Sequence, residues 1–201
     1  IFRNPLVSPD VLGVSSGAGF GSVLGILLFG MSATTSLLAF VFGLGSVFLT
    51  YLFARARGQT TMMSLVLSGM IVSAIFAALI SLVKYVADPY DALPAITYWL
   101  MGSFSKATFE DLRYIFIPLT ASLAVLNLVR WRINILSLGE EESKSLGVNP
   151  TRIKFIAIIA STVLTALSVT VVGIVGWVGL VIPHITRLLF GVDHKVLLPA
   201  S

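Results

Sequence analysis

Long apolar runs separated by short polar breaks organise the whole chain. The runs cover residues 13–30, 33–54, 62–86, 112–129, 153–175 and 176–190. About 20 apolar residues let a helix cross the hydrocarbon core of a bilayer. Backbone polar groups in lipid must be satisfied inside the segment, and a helix does this. The pattern therefore predicts an all-α, polytopic transmembrane helical bundle of about six spans, forming one domain over residues 1–201. The last span is expected to be broken at Pro183-His184, because proline removes a helical hydrogen bond. The opening residues 1–10 read as a polar link, with Pro5 and Pro9 disfavouring helix before them. Residues 87–111 read as a wet loop at headgroup depth, where Tyr98 and Trp99 are at home.

Composition supports that solvent. Hydrophobic residues make up 57% of the 201 and charged residues 11%, against about 25% charged in soluble domains. Too few charges remain to clothe a water-facing surface. The net charge of +4 does not point to nucleic acid, because Lys and Arg are scattered at the ends of apolar runs. There is no cysteine, so thiol and disulfide chemistry is excluded. No leader pattern is visible. The chain starts Ile-Phe-Arg-Asn-Pro and stops as an apolar run restarts at Val196, as expected of a piece of a longer protein.

Charge also orients the spans. With alternating crossings, Arg3, Arg55, Arg57, Arg130, Arg132, Lys144, Arg152, Lys154, Arg187 and Lys195 fall on one side. Lys84, Lys106 and Arg113 fall on the other. Positive residues gather on the cytoplasmic face. Residues 133–152 are thus expected inside and residues 87–111 outside.

Two groups of residues carry candidate functions. Gly13, Gly17, Gly21 and Gly25 recur every four residues, on one helical face where another backbone can come close. A phosphate loop is the poorer reading, since the spacing is not G-x-G-x-x-G and no strand precedes it. Residues 133–152 form the longest hydrophilic insert. Gly139 is expected to break the preceding helix, Glu140, Glu141 and Glu142 to favour the positive end of a short helix, and Gly147 to close it. Asn149-Pro150 would then start the next, giving two short helices at an angle. The insert is either a solvated turn or a docking knob, with Leu138 and Leu146 as apolar anchors.

Near the end, Gly173, Gly176 and Gly179 are expected to permit tight packing, with a gating hinge as the alternative. His184 is either a ligand inside the membrane or a structural residue beside Pro183, and the lack of a nearby Asp, Glu or second His favours the latter. Arg187 is expected to snorkel to the cytoplasmic side, and His194 to cap the surface.

Several segments together resemble a known family. These are Asn4-Pro5-Leu6-Val7-Ser8-Pro9 with Leu12 to Ala18, Tyr98 to Ser103, Leu138-Gly139-Glu140 with Leu146-Gly147, and Gly173 to His194. In this order they are similar to signatures of the FecCD-type permeases, the membrane subunits of ABC importers for ferric siderophores, haem and vitamin B12. Departures are small: Trp177 replaces a usual Phe, and Ser143 a usual Ala, which is expected to alter the knob's surface slightly. The family fold has ten spans, of which this chain would cover the third to the eighth.

The resemblance implies a permease with no catalytic residues, no metal site and no bound cofactor, ATP being used by a separate cytoplasmic ATP-binding subunit. The coupling loop would be Leu138, Gly139, Glu140, Glu141, Ser143, Lys144, Leu146 and Gly147. Other implied partners are an extracytoplasmic substrate-binding protein, with Lys106 and Arg113 as candidate docking cations, a second permease copy or paralogue, and membrane lipid. Gly13, Gly17, Gly21, Gly25, Gly173, Gly176, Gly179 and Pro183 would serve helix packing or gating. The implied location is the inner (cytoplasmic) membrane of a bacterium or archaeon. The rivals are an ion-coupled secondary transporter, an intramembrane enzyme and a structural membrane subunit. The first would need ionisable groups within the spans, and the second a catalytic motif that is not found.

Overall fold

The structure, a computed structural model, describes residues 9–55, 62–136, 138–176, 178–191 and 196–197. Its helices are α1 (Val14–Phe29), α2 (Ala33–Arg55), α3 (Met62–Val86), α4 (Ala92–Met101), α5 (Phe109–Leu136), α6 (Glu140–Ser145), α7 (Pro150–Val172) and α8 (Val178–Phe190). Short 3-10 turns occupy Pro9–Leu12 and Phe104–Lys106. No strand occurs among the described residues.

Four of these helices, α2, α3, α5 and α7, are long and apolar enough to cross a membrane. The two remaining expected spans are shorter, with 16 residues in α1 and 13 in α8. At 1.5 Å per residue they reach about 24 and 20 Å, less than the ~30 Å hydrocarbon core. Gly13 and Gly30 bound α1 at its two ends. In α8 the expected break is absent, and the helix runs through Pro183. The proline forfeits only the bond from its own position to the Gly179 carbonyl, and the flanking turns continue.

The chain falls into two compact units, one of them Pro9–Ile115 with Thr165–Val175. Its centre is the α1–α2 pair, the most extensive contact among its first four helices. A Cβ on Gly17 would stand 2.5 Å from the Phe42 carbonyl oxygen and 2.6 Å from the Ser46 Cβ. One on Gly21 would strike the Leu38 carbonyl, and one on Gly25 would lie 2.8 Å from the Thr35 Cα. Three of the four glycines in the series thus face α2 backbone. Gly13 differs, facing Ser73 and Val72 of α3. Rings tie the three helices together: Phe20 of α1 lies 5.1 Å from Phe42 of α2 and 5.6 Å from Phe76 of α3.

Small hydroxyl groups fill the same seam. Ser22 and Ser46 are fully buried and donate to carbonyls of their own helices, at Gly19 (2.8 Å) and Gly43 (2.7 Å). Thr50 reaches across to the Leu12 carbonyl at 3.0 Å. Each buried donor is thereby satisfied, as a medium without water requires.

Residues 87–111 correct the expected wet loop. Asp88 Oδ1 accepts from the Tyr90 and Asp91 amides and turns the chain into α4. Ile96 and Trp99 of α4 are buried with Val83, Ala87 and Val169, so this helix belongs to the core. Its apolar positions are close-set within ten residues, too few to read as a span. Next, Thr108 and Asp111 form a reciprocal cap: Asp111 Oδ2 accepts from the Thr108 amide (3.0 Å) and hydroxyl (2.6 Å), and Thr108 Oγ1 accepts from the Asp111 amide (3.2 Å). This capping box starts α5 three residues before the expected run.

The second unit is built around Phe116–Leu164 and α8. Its core joins Leu126, Val129, Ile133, Ile135 and Leu136 of α5 to Val148 and to Ile153, Ala157 and Ala160 of α7. α5 therefore continues seven residues beyond its apolar run, because Ile133, Ile135 and Leu136 have a core to enter.

A prediction follows from the α1–α2 seam. Gly21→Val in the complete protein should destabilise it by about 1–3 kcal/mol, the usual cost of overpacking, read as a lower thermal midpoint in detergent. Gly45→Ala, where a Cβ meets nothing within 4 Å, should not lower it.

Candidate functional site

The segment between α5 and α7 is a short folded unit. α6 is its one helix; the second short helix expected there is the first turn of α7 itself. Asn149 caps α7, its Oδ1 accepting from the Arg152 amide at 3.2 Å, with Pro150 in the first helical position, where no amide is needed. α6 begins after Gly139 and is closed by two crossed bonds, Gly147 N–H to the Lys144 carbonyl (2.9 Å) and Val148 N–H to the Ser143 carbonyl (2.9 Å). This is a Schellman closure, and it points Val148 into the core.

Ser143 is not on the surface, which corrects the expectation drawn from its departure from Ala. It is 0% exposed. Its hydroxyl donates toward the Ile135 carbonyl at 3.0 Å and also lies against the Gly139 carbonyl. The Ile135 carbonyl is one of the last four of α5, which have no partner within the helix. It also accepts from the Leu138 amide at 3.0 Å, so both its lone pairs are used. The hydroxyl thus ties α6 to the end of α5.

The outward face of this segment is mixed. Leu138 and Leu146 are 60% and 59% exposed, and Glu141, Glu142, Lys144 and Gly147 are exposed beside them. Glu140 is the first residue of α6 and Gly139 its cap. The segment therefore exposes two leucines and the charged side chains of Glu141, Glu142 and Lys144, on a backbone pinned at both ends.

The other candidate residues lie elsewhere. Gly173 packs against α4, 2.6 Å separating its would-be Cβ from the Trp99 carbonyl. Gly176 is exposed and a Cβ there would meet nothing within 4 Å, so space does not demand glycine at that point. Gly179, His184 and half-buried Pro183 lie on α8, the first two exposed. Arg187 stands in the last turn of α8, where a cation suits the helix dipole. Lys106 ends the second 3-10 turn, and Arg113 is exposed near the start of α5. Trp177 and His194 lie outside the described residues. Among the described residues, no group of three His, Cys, Asp or Glu could hold a metal ion.

The sequence profile of the FecCD transport family matches residues 1–201. The chain belongs to the FecCD transport family. It is 42% identical over 205 residues to the molybdate import system permease protein MolB of Haemophilus influenzae, covering 100% of this chain and 60% of that protein. It is 41% identical over 201 residues to a probable iron chelatin transport system permease protein of Helicobacter pylori, with the same coverage. A solved structure described as an inward-facing conformation of a metal-chelate type ABC transporter matches with a TM-score of 0.92 and 42% identity, covering 99% of this chain and 63% of that one. This FecCD chain spans about 60% of the length of the curated relatives it matches.

Ser143→Ala in this FecCD protein should loosen α6. Losing one net hydrogen bond of about 1 kcal/mol should speed hydrogen exchange at the Gly147 and Val148 amides about fivefold, measured by mass spectrometry. Exchange elsewhere in α7 should be unchanged.

Proposed function

We propose that this chain is part of the membrane-spanning permease subunit of an ABC importer. The importer would carry an iron chelate or a similar metal-bearing substrate, such as haem or cobalamin, across the cytoplasmic membrane. The observation that carries this reading is the whole-length family match together with the pinned, leucine-tipped segment around α6. Relatives described as permeases for iron chelatin, molybdate, cobalamin and hemin support a metal-bearing cargo.

On this reading, α6 docks in a cleft of a separate ATP-binding subunit. Nucleotide binding and hydrolysis in that subunit push on α6. Because α6 is tied to the end of α5 and leads directly into α7, the push moves those two helices. This opens the pathway, formed between two permease copies or a permease and a paralogue, to one side at a time. The permease needs no cofactor of its own. An extracytoplasmic binding protein delivers the cargo, with Lys106 and Arg113 as candidate docking cations.

The scarcity of acids within the membrane argues against the ion-coupled rival. Among the described helices, carboxylates occur only at the start of α5 and in α6. A proton or sodium relay would need them at depth.

Two results test the proposal. The complete protein, purified from native membranes, should bring an ATP-binding subunit with it. Uptake driven by an ion gradient without ATP would overturn the reading. Reversing charge at Glu140 and Glu141 together, or replacing Leu146 with Asp, should cut substrate uptake tenfold or more while the partner's basal ATP hydrolysis persists. Normal uptake by both variants would remove α6 from the coupling role.

A further inference from the structure

We infer that Gly102 and Gly173 form a backbone clasp that stays closed throughout transport, so that α4 travels with the end of α7. The functional part rests on the permease reading. The contact itself stands on geometry.

The clasp is reciprocal. A Cβ on Gly173 would lie 2.6 Å from the Trp99 carbonyl oxygen and 2.9 Å from the Gly102 Cα. One on Gly102 would lie 2.7 Å from the Ile174 carbonyl oxygen and 3.2 Å from that of Val172. Gly102 occupies room that a side chain on Gly173 would need, and the backbone on either side of Gly173, at Val172 and Ile174, occupies the room that one on Gly102 would need. Both have a positive φ, +67° at Gly102 and +76° at Gly173, which glycine adopts without the strain a side chain would bring. One hydrogen bond locks the pair: the Ser103 amide donates to the Val172 carbonyl at 2.7 Å. That carbonyl belongs to the last turn of α7 and has no partner within the helix. Side chains close over the joint. Trp99, Ile96 and Val169 are buried together, with Leu100 and Ile174 packed on them.

Such a joint has no slack. No side chain can change rotamer to let the backbones slide, because at the contact there is none. α7 is unbroken from Pro150, just after the α6 segment, to Val172. A displacement received at its start is therefore delivered to α4 at its end. Gly102 and Gly173 are positioning residues, and α4 is the element they move.

The test uses the complete transporter with its ATPase and binding protein in proteoliposomes. The 201 residues contain no cysteine, so once any cysteines in the rest of the transporter are replaced, Ser103→Cys with Val172→Cys is the one thiol pair, placed across the joint. Oxidation or a short bis-thiosulfonate should cross-link the pair in high yield. The cross-linked transporter should retain at least half the uptake of the reduced one. A tenfold loss on cross-linking, restored by reductant and absent from either single variant, would show that the joint opens and overturn the proposal. Failure to cross-link with either reagent would also overturn it. Gly173→Ala should lower uptake at least tenfold while basal ATP hydrolysis persists, whereas Gly176→Ala should leave both unchanged. Normal uptake by Gly173→Ala would sink the clasp. If the unmodified protein shows no ATP-driven uptake, the permease reading falls, and the cross-linking yield still judges the contact.

Discussion

Apolar side chains gain nothing by leaving lipid for protein, so helices inside a bilayer need another reason to associate. In this chain the reason is close backbone approach. Gly17, Gly21 and Gly25 bring α1 against the main chain of α2 at distances that no side chain would permit. Dispersion contacts are individually weak and add up only when atoms meet in number. Removing three side chains from one face lets that happen. The buried serines and Thr50 belong to the same solution, being small enough to fit the seam and able to satisfy themselves on nearby carbonyls. The ring contacts among Phe20, Phe42 and Phe76 join α3 to this pair.

The two regions assigned to function borrow this logic in different ways. Around α6, order comes from hydrogen bonds at helix ends: the Ser143 hydroxyl, the crossed bonds of Gly147 and Val148, and the Asn149 cap. Each satisfies a group that a helix terminus leaves open. Between α4 and α7, order comes again from missing side chains, at Gly102 and Gly173. Both leave the backbone little room to move, which suits the proposed permease reading, in which work done by a partner has to reach a distant element.

Much of this was legible in the residues. Apolar run length marked α2, α3 and α7 closely, and the four-residue glycine spacing marked the face of α1. Gly139, Gly147 and Asn149-Pro150 marked the edges of the inserted segment. What escaped had physical causes. α4 is too short to show itself by length, and its polar flanks, from Asp88 to Asp111, masked a buried Trp99 and Ile96. The Thr108–Asp111 box was a visible local signal, yet it lay inside a stretch read as loop. The course of α5 beyond Val129 depended on Val148 and Ile153, which supply a core only once the chain has turned back. Ser143 is polar and sits among charges, so nothing local announced its burial. Pro183 suggested a break that one lost bond was not enough to cause.

The small core of Ile133, Ile135, Leu136, Val148 and Ile153 has a thermodynamic consequence for recognition. A loop that orders only on contact spends part of its association free energy on its own immobilisation, about 0.5–1.5 kcal/mol for each rotamer-rich side chain, with the backbone adding more. Here the backbone beneath Leu138 and Leu146 is already set before any other protein arrives. On the proposed docking role, affinity for a partner is then tuned by the shape and charge of a few exposed groups, and the off-rate can shift between conformations without the segment having to refold.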